Sequence, residues 1–418
     1  MEEEKKQPRT FINEKIVPRK KYKKVLAIIA ATLGLAILFG VMAGISFYVS
    51  RSVVGKTDVS AALETIIIAR DDTTEAAKTS AAETEKASED SSADATEAVA
   101  SEIVIEEEET VTALDVYESV KDSFVTVNIV ETGGMDWFDA ATTRTSETFG
   151  VLTARSDESY FILADAYSLG KNASISVTIG KKRIPAAIYG YDNITKLCIL
   201  KISNEGIPKD LPLASLGNSF TLDLGDEIIL AGAQYGYSGA LSAGAVTFIH
   251  DFVDVTDGYE QYVYTDLVRS IGGTAVLLNM KGEIIGWVSD YTCIDDPSMV
   301  VACGISPLKY LIEDMCSGKD TAALGIKCVS VSDADAEMAG VPAGLYVQQV
   351  LSFSAAEEYG ILPGDRIISI NNRSVTDSHT LQVRIDEIEA GQTAAVSIER
   401  RGVAGYEPLD LMIKFGSR

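Results

Sequence analysis

Tyr160–Lys201 reads YFILADAYSLGKNASISVTIGKKRIPAAIYGYDNITKLCILK. Three runs within it, Tyr160–Leu163, Ile175–Ile179 and Cys198–Ile202, are rich in β-branched and aromatic residues and are separated by Gly, Asn and Asp. Short apolar runs bounded by turn formers read as strands. The same texture continues on both sides, at Phe124–Val130, Phe149–Leu152, Glu227–Ala231, Ala245–His250 and Glu283–Val288. Many short strands with such punctuation imply an all-β barrel or sandwich rather than an α/β fold.

Downstream the pattern changes. Ser354–Asn371 reads SAAEEYGILPGDRIISIN, which joins a short helix, a Gly-Asp turn and a buried strand in fixed order. Gly344–Val350 precedes it as a strand and Ser378–Ile388 follows as a helix, so residues 320–418 form a second, α+β unit. With 418 residues the chain has room for both units and a sizeable core.

The formal charge of −25 is unevenly spread. Residues 1–24 hold nine Lys and Arg against four Glu, residues 51–112 carry a net −11, and residues 113–418 a net −19. Such an acidic body is repelled by nucleic acid, which is excluded as a direct partner. Val25–Val49 is an uncharged apolar run of 25 residues. About 20 residues span a bilayer core. Arg19, Lys20, Lys21, Lys23 and Lys24 stand directly before it and only Arg51 close behind. The positive-inside rule predicts one transmembrane helix over 25–49, a cytoplasmic basic tail over 1–24, and the remainder outside the cell membrane. A cleaved signal peptide shares these features, but the run is long and no small-x-small site follows it. Residues 50–112, rich in Ala, Thr, Ser and Glu and ending in Glu106–Glu109, predict a disordered, mostly extended acidic tether.

Cys198, Cys293, Cys303, Cys316 and Cys328 show neither CxxC nor metal-ligand spacing. Cys198 reads as a core residue, and Cys293 with Cys303 as a pair whose oxidation state is open. No metal site or cofactor motif is legible.

Two segments, Tyr160–Lys201 and Tyr264–Trp287 (YTDLVRSIGGTAVLLNMKGEIIGW), resemble the catalytic segments of the HtrA (Deg) family of trypsin-like serine proteases. Asp115–Asp122 and Ile305–Met315 resemble the helices that open and close its protease domain, and the later unit resembles the family's PDZ domain. The resemblance implies a trypsin-like double β-barrel over 113–316 followed by a PDZ domain over 320–418. It also implies a serine endopeptidase triad, and here the residues depart from the pattern. Ala166 occupies the position of the general-base His, and alanine has no ionisable group. Lys196 occupies that of the triad Asp, a reversal of charge. The nucleophile falls on Gly273 when counted back from Asn279, Gly282 and Glu283, and on Thr274 when counted forward from Thr265–Asp266. Ile271, Gly272 and Gly273 remain of the oxyanion turn. A serine or threonine hydroxyl is a weak nucleophile without an adjacent base, and the chain's two histidines, His250 and His379, lie elsewhere in the sequence. Asp192 reads as a turn residue.

Binding survives this reading better than catalysis. A barrel groove holds an extended peptide through backbone, and Ala231–Ala245 keeps the outline of the family's activation loop, with Tyr235 and Tyr237 either lining the groove or packing. Leu324, Gly325 and Ile326 resemble the loop in which successive N–H groups cradle a C-terminal carboxylate. The expectation is a membrane-anchored pseudoprotease that binds peptides, protein C-termini or unfolded proteins. The alternatives are a quality-control serine-type endopeptidase with a nucleophile at Thr274 or Ser270, and a structural subunit, as a homotrimer or with active paralogues.

Overall fold

The computed structural model describes residues 66–71, 111–135, 141–166, 169, 173–233, 239–269, 273–290, 292, 298–403 and 405–418. The apolar run Val25–Val49, the tether apart from 66–71 and 111–112, Tyr235 and Tyr237, Ser270–Gly272 and Cys293 lie outside them. Among the described residues no helix is long and apolar enough to cross a membrane.

Helix α1 (Ala113–Val120) opens the folded part. Thr112 and Asp115 form a reciprocal capping box, each side chain accepting from the other's backbone N–H. The first barrel then comprises β1 (Phe124–Met135), β2 (Ala141–Arg155), β3 (Ser159–Asp165), β4 (Ala173–Ile179), β5 (Lys182–Tyr191) and β6 (Leu197–Ser203), closed in the order β1-β2-β3-β6-β5-β4. The second comprises β7 (Glu227–Gly232), β8 (Ala240–Val255), β9 (Gly258–Val268), β10 (Ala275–Leu278), β11 (Ile284–Val288) and β12 (Met299–Gly304), closed in the order β10-β11-β12-β9-β8-β7. Every residue of β3, β10 and β11 is buried, so these strands read as unbroken apolar runs rather than as alternation. Each barrel has its own core, around Val127, Leu152 and Leu200 in the first and Leu230, Val263 and Leu277 in the second. A further cluster lies between them, where Phe149, Val151 and Leu163 meet Ile229, Val276 and Trp287, and α2 (Lys309–Cys316) seals it with Leu311 and Ile312.

A short extended piece of the acidic tether is part of this body. Ile66 and Ile68 pack on the inter-barrel core while Ile67 is 81% exposed, the alternation of an extended chain. Asp71 pairs with Lys309 at 2.8 Å, and the lysine side chain is only 4% exposed. The expectation of a free tether therefore does not hold for 66–71: two isoleucines and one buried ion pair outweigh the surrounding acidic composition.

The C-terminal unit holds β13 (Ala322–Ala323), β14 (Ile326–Val331), α3 (Asp333–Ala339), β15 (Gly344–Val350), α4 (Ala355–Glu358), β16 (Arg366–Ile370), β17 (Arg373–Ser374), α5 (Ser378–Asp386), β18 (Thr393–Arg401), β19 (Tyr406–Lys414) and β20 (Gly416–Ser417). Its sheet runs β14-β15-β16-β18-β19, which leaves β14 at an edge, and its core is built on Leu324, Ile326, Leu345, Ile367 and Leu381. Asp365, from the Gly-Asp turn, is buried and pairs with the part-exposed Arg400, whose guanidinium donates to both carboxylate oxygens at 2.7 and 2.8 Å. Cys198, Cys303, Cys316 and Cys328 are buried free thiols, which burial pushes up in pKa; they pack rather than react.

Candidate functional sites: the barrel junction and the carboxylate loop

The residues singled out by the triad pattern lie near one another at the junction of the barrels. Ala166 follows the last residue of β3, and its N–H donates to the Lys196 carbonyl at 2.8 Å. Lys196 stands in the left-handed region, φ 60°, after a turn fixed by Asp192, whose Oδ2 accepts from the Thr195 N–H and hydroxyl at 2.6 Å each. The backbone thus brings a methyl and an ammonium-bearing residue to adjacent places. Opposite them Gly273 has φ +147°, and Thr274 leads into β10 with 0% exposure. Its carbonyl accepts from the Ala233 N–H at 2.9 Å, which pins it to the end of β7.

The Thr274 hydroxyl faces inward. It lies 3.4 Å from the Asp165 carboxylate and 3.4 Å from the Thr148 hydroxyl, both buried. These separations exceed the usual 2.7–2.8 Å of a good O–H···O bond. Asp165 escapes sequence reasoning because it is 109 residues from Thr274 and no spacing links them. A carboxylate can act as a base toward a hydroxyl, but a nucleophile must also reach a substrate carbonyl, and this one is enclosed. The histidine rings are engaged elsewhere: His250 lies 6.3 Å from the ring of Phe248, and His379 meets Tyr259 edge-on at 5.3 Å. Among the described residues no group of three His, Cys, Asp or Glu could hold a metal ion.

Asp192 does more than shape a turn. Its Oδ1 lies 3.0 Å from Nε of Arg418, a side chain 7% exposed, and Arg418 also donates to the Tyr310 hydroxyl at 2.7 Å. Burial works against the charge of this guanidinium, but Tyr310, Asp192, Asp257 and Asp386 hold it more firmly protonated than usual. Through Arg418 the end of the PDZ unit is tied to the first barrel.

The second site is built from backbone. Leu324 and Ile326 are anchored in the PDZ core, and Gly325 between them has φ +83°; a side chain there would also overlap Ser354. This turn points three successive N–H groups at one spot, and the spot is filled. Asp257, 2% exposed at the tip between β8 and β9, accepts from Leu324 at 2.9 Å, from Gly325 at 2.8 Å with both oxygens, and from Ile326 at 2.9 Å. Around it the Asp257 N–H donates to the Ile326 carbonyl at 2.8 Å, Thr256 bridges antiparallel to Lys327, and the Tyr259 N–H donates to Gln382 on α5 at 3.1 Å. Burial raises the Asp257 carboxyl above the ordinary aspartate range, while those three N–H groups and Arg418 act in the opposite direction. The one sequence signal was Asp257-Gly258 between apolar runs, a hairpin-turn signature that says nothing of where the carboxylate lands.

The comparisons agree with these two halves. The sequence pattern of the PDZ domain matches residues 322–410. A probable periplasmic serine endoprotease, DegP-like, of Hahella chejuensis is 27% identical over 283 residues, which is 64% of this chain and 58% of the relative. The protein of the same description from Pseudomonas savastanoi pv. phaseolicola is 30% identical over 230 residues, 53% of this chain and 47% of the relative. The chain thus spans about half the length of the curated relatives it matches. Among solved structures, the HtrA-type protease AlgW with a decapeptide superposes with a TM-score of 0.53 at 19% identity, over 74% of this chain and 99% of that one. Two closed six-stranded barrels ahead of a PDZ domain make this chain similar to HtrA-type serine endoproteases with a PDZ domain.

Proposed function

We propose that this chain is a pseudoprotease that recognises peptides, using its barrel groove and PDZ domain to hold chain ends or unfolded segments without cleaving them. The observation that carries the reading is Thr274: its hydroxyl is wholly buried, with Ala166 and Lys196 where a base and its orienting carboxylate would stand. Hydrolysis needs an activated, accessible nucleophile, whereas strand addition and carboxylate capture need only backbone. The carboxylate loop is intact in its turn and its donors. The solved neighbour described with a decapeptide supports peptide recognition, and the periplasmic description of the relatives supports a place outside the cytoplasm. In this reading Val25–Val49 anchors the chain in the cell membrane with both domains on the outer side.

One observation favours a second reading. The Asp165 carboxylate beside the Thr274 hydroxyl resembles a base–nucleophile pair, and a rearranged junction that exposed it would make a cryptic threonine protease. A fluorophosphonate reagent, which activated hydroxyls attack at phosphorus with loss of fluoride to give a phosphonate ester, separates the two. The pseudoprotease reading expects no label on the full-length chain. Label that disappears in Thr274→Val would overturn it in favour of the second.

A further inference from the structure

The PDZ element suited to reading a free chain end is engaged by the molecule itself. Three successive N–H groups meet both oxygens of Asp257 at 2.8–2.9 Å, the pattern a terminal carboxylate makes in a backbone nest. The neighbouring strand edge is engaged as well. Thr256 bridges antiparallel to Lys327 on β14, the edge at which an extended peptide would add to the sheet. From the other side α5 closes on the same tip, with Ser378 donating to Asp254 and Gln382 accepting from Tyr259, and Gly258 lies so close to Gln382 that a side chain there would overlap it. Asp257 itself sits at φ +61°, the left-handed conformation that an Asp-Gly hairpin turn favours, so the local turn presents its carboxylate at the tip.

We propose that Thr256–Gly258 is an internal pseudo-ligand of the PDZ domain, so that a protein or peptide ending in a free carboxylate enters the loop only by displacing Asp257. This rests on the peptide-recognition reading above and names its regulation. The ligand class follows from the donors: three N–H groups matched to two anionic oxygens suit a terminal carboxylate, and an amidated end offers them a single neutral acceptor. The competitor is covalently tethered, so it acts at an effective concentration in the millimolar range for a short connection. The apparent dissociation constant of an external peptide is its intrinsic value divided by the fraction of molecules whose loop is open. Scarce chain ends are therefore excluded, and abundant ones, such as those released by proteolysis or unfolding, are admitted.

The test uses the full-length chain in mild detergent and fluorescein-labelled nonapeptides ending in Leu, Val or Phe, each with a free carboxylate and as its amide. Removing the competitor with Asp257→Ala should tighten binding of the carboxylate peptides about tenfold or more and leave the amides weak. Equal affinity in wild type and variant would overturn the gating while leaving peptide recognition standing. No binding of any carboxylate peptide by either protein would overturn both. Hydrogen exchange on the wild type keeps the proposal testable should Asp257→Ala misfold. Saturating peptide should raise exchange at residues 255–259 while Leu324, Gly325 and Ile326 stay protected; an unchanged tip with peptide bound would overturn the proposal.

Discussion

The barrel junction and the carboxylate loop are two candidate sites of one molecule, and they differ in what each requires of the chain. The junction depends on side chains. The strands still deliver Ala166, Lys196, Gly273 and Thr274 to one neighbourhood, but the groups delivered are a methyl, an ammonium, a bare backbone and a buried hydroxyl. The loop depends on backbone. Leu324, Gly325 and Ile326 supply three N–H groups whatever the flanking sequence, and those donors are fully used, by Asp257. On the proposed reading, changing a few side chains removes catalysis, whereas recognition by main-chain donors persists as long as the turn does, and a chain can place one of its own carboxylates there.

The largest effect that would break this contrast lies at Gly325. An alanine there combines a left-handed backbone with overlap against Ser354, and should cost about 3 kcal/mol or more. The measurement is urea unfolding of the full-length chain. A loss under about 1 kcal/mol would mean the loop tolerates change as freely as the junction has.

A smaller effect, at Gly273, sharpens the contrast. Its φ of +147° disfavours any side chain, so placing a serine at Gly273, one of the two positions on which the nucleophile of the pattern falls, should destabilise the protein by about 1–3 kcal/mol and yield no hydrolysis. Unchanged stability together with new casein fragments would show that the junction had lost only one group.

The most gradual effect is on pH. Burial raises the carboxyls of Asp257, Glu260 and Asp386. Asp257 faces Arg418 and the loop N–H groups, Glu260 faces Tyr262, Arg418 and Asp192, and Asp386 faces Arg70, Arg418, Asp314 and Glu387. A carboxyl raised in the folded state adds stability that is complete below its unfolded value and is lost as pH rises through the folded one. The urea midpoint should therefore fall as pH rises past the ordinary carboxylate values of about 4, with a shallower slope in Glu260→Gln. A midpoint that rises with pH there would contradict the raised carboxyls.

Much of this fold was legible in local features of the chain. The runs at Tyr160–Leu163 and Cys198–Ile202 became β3 and β6 because both are buried along nearly their whole length. The Ser354–Asn371 motif became α4, its turn and β16 because each part carries its own signal. Strand β5 gave a weak signal, since Pro185 and Gly190 interrupt it and much of it is exposed. Ile66 and Ile68 were hidden by the acidic composition around them. The features that fill the sites were not legible at all. Asp257 meets its donors across 67 to 69 residues and Asp165 meets Thr274 across 109, and neither separation carries a periodicity. Asp192 read as a turn residue because its turn is local, while its ion pair with Arg418 is not.

The most direct measurement of the central claim puts binding and cleavage in one tube. The full-length Asp257→Ala chain, with its loop vacated, is titrated with a free-carboxylate nonapeptide and unfolded casein, read by anisotropy for binding and by mass spectrometry for fragments. The account predicts saturable binding with peptide and casein masses unchanged. Fragments that appear with the wild-type junction and vanish when Thr274→Val is added would contradict it.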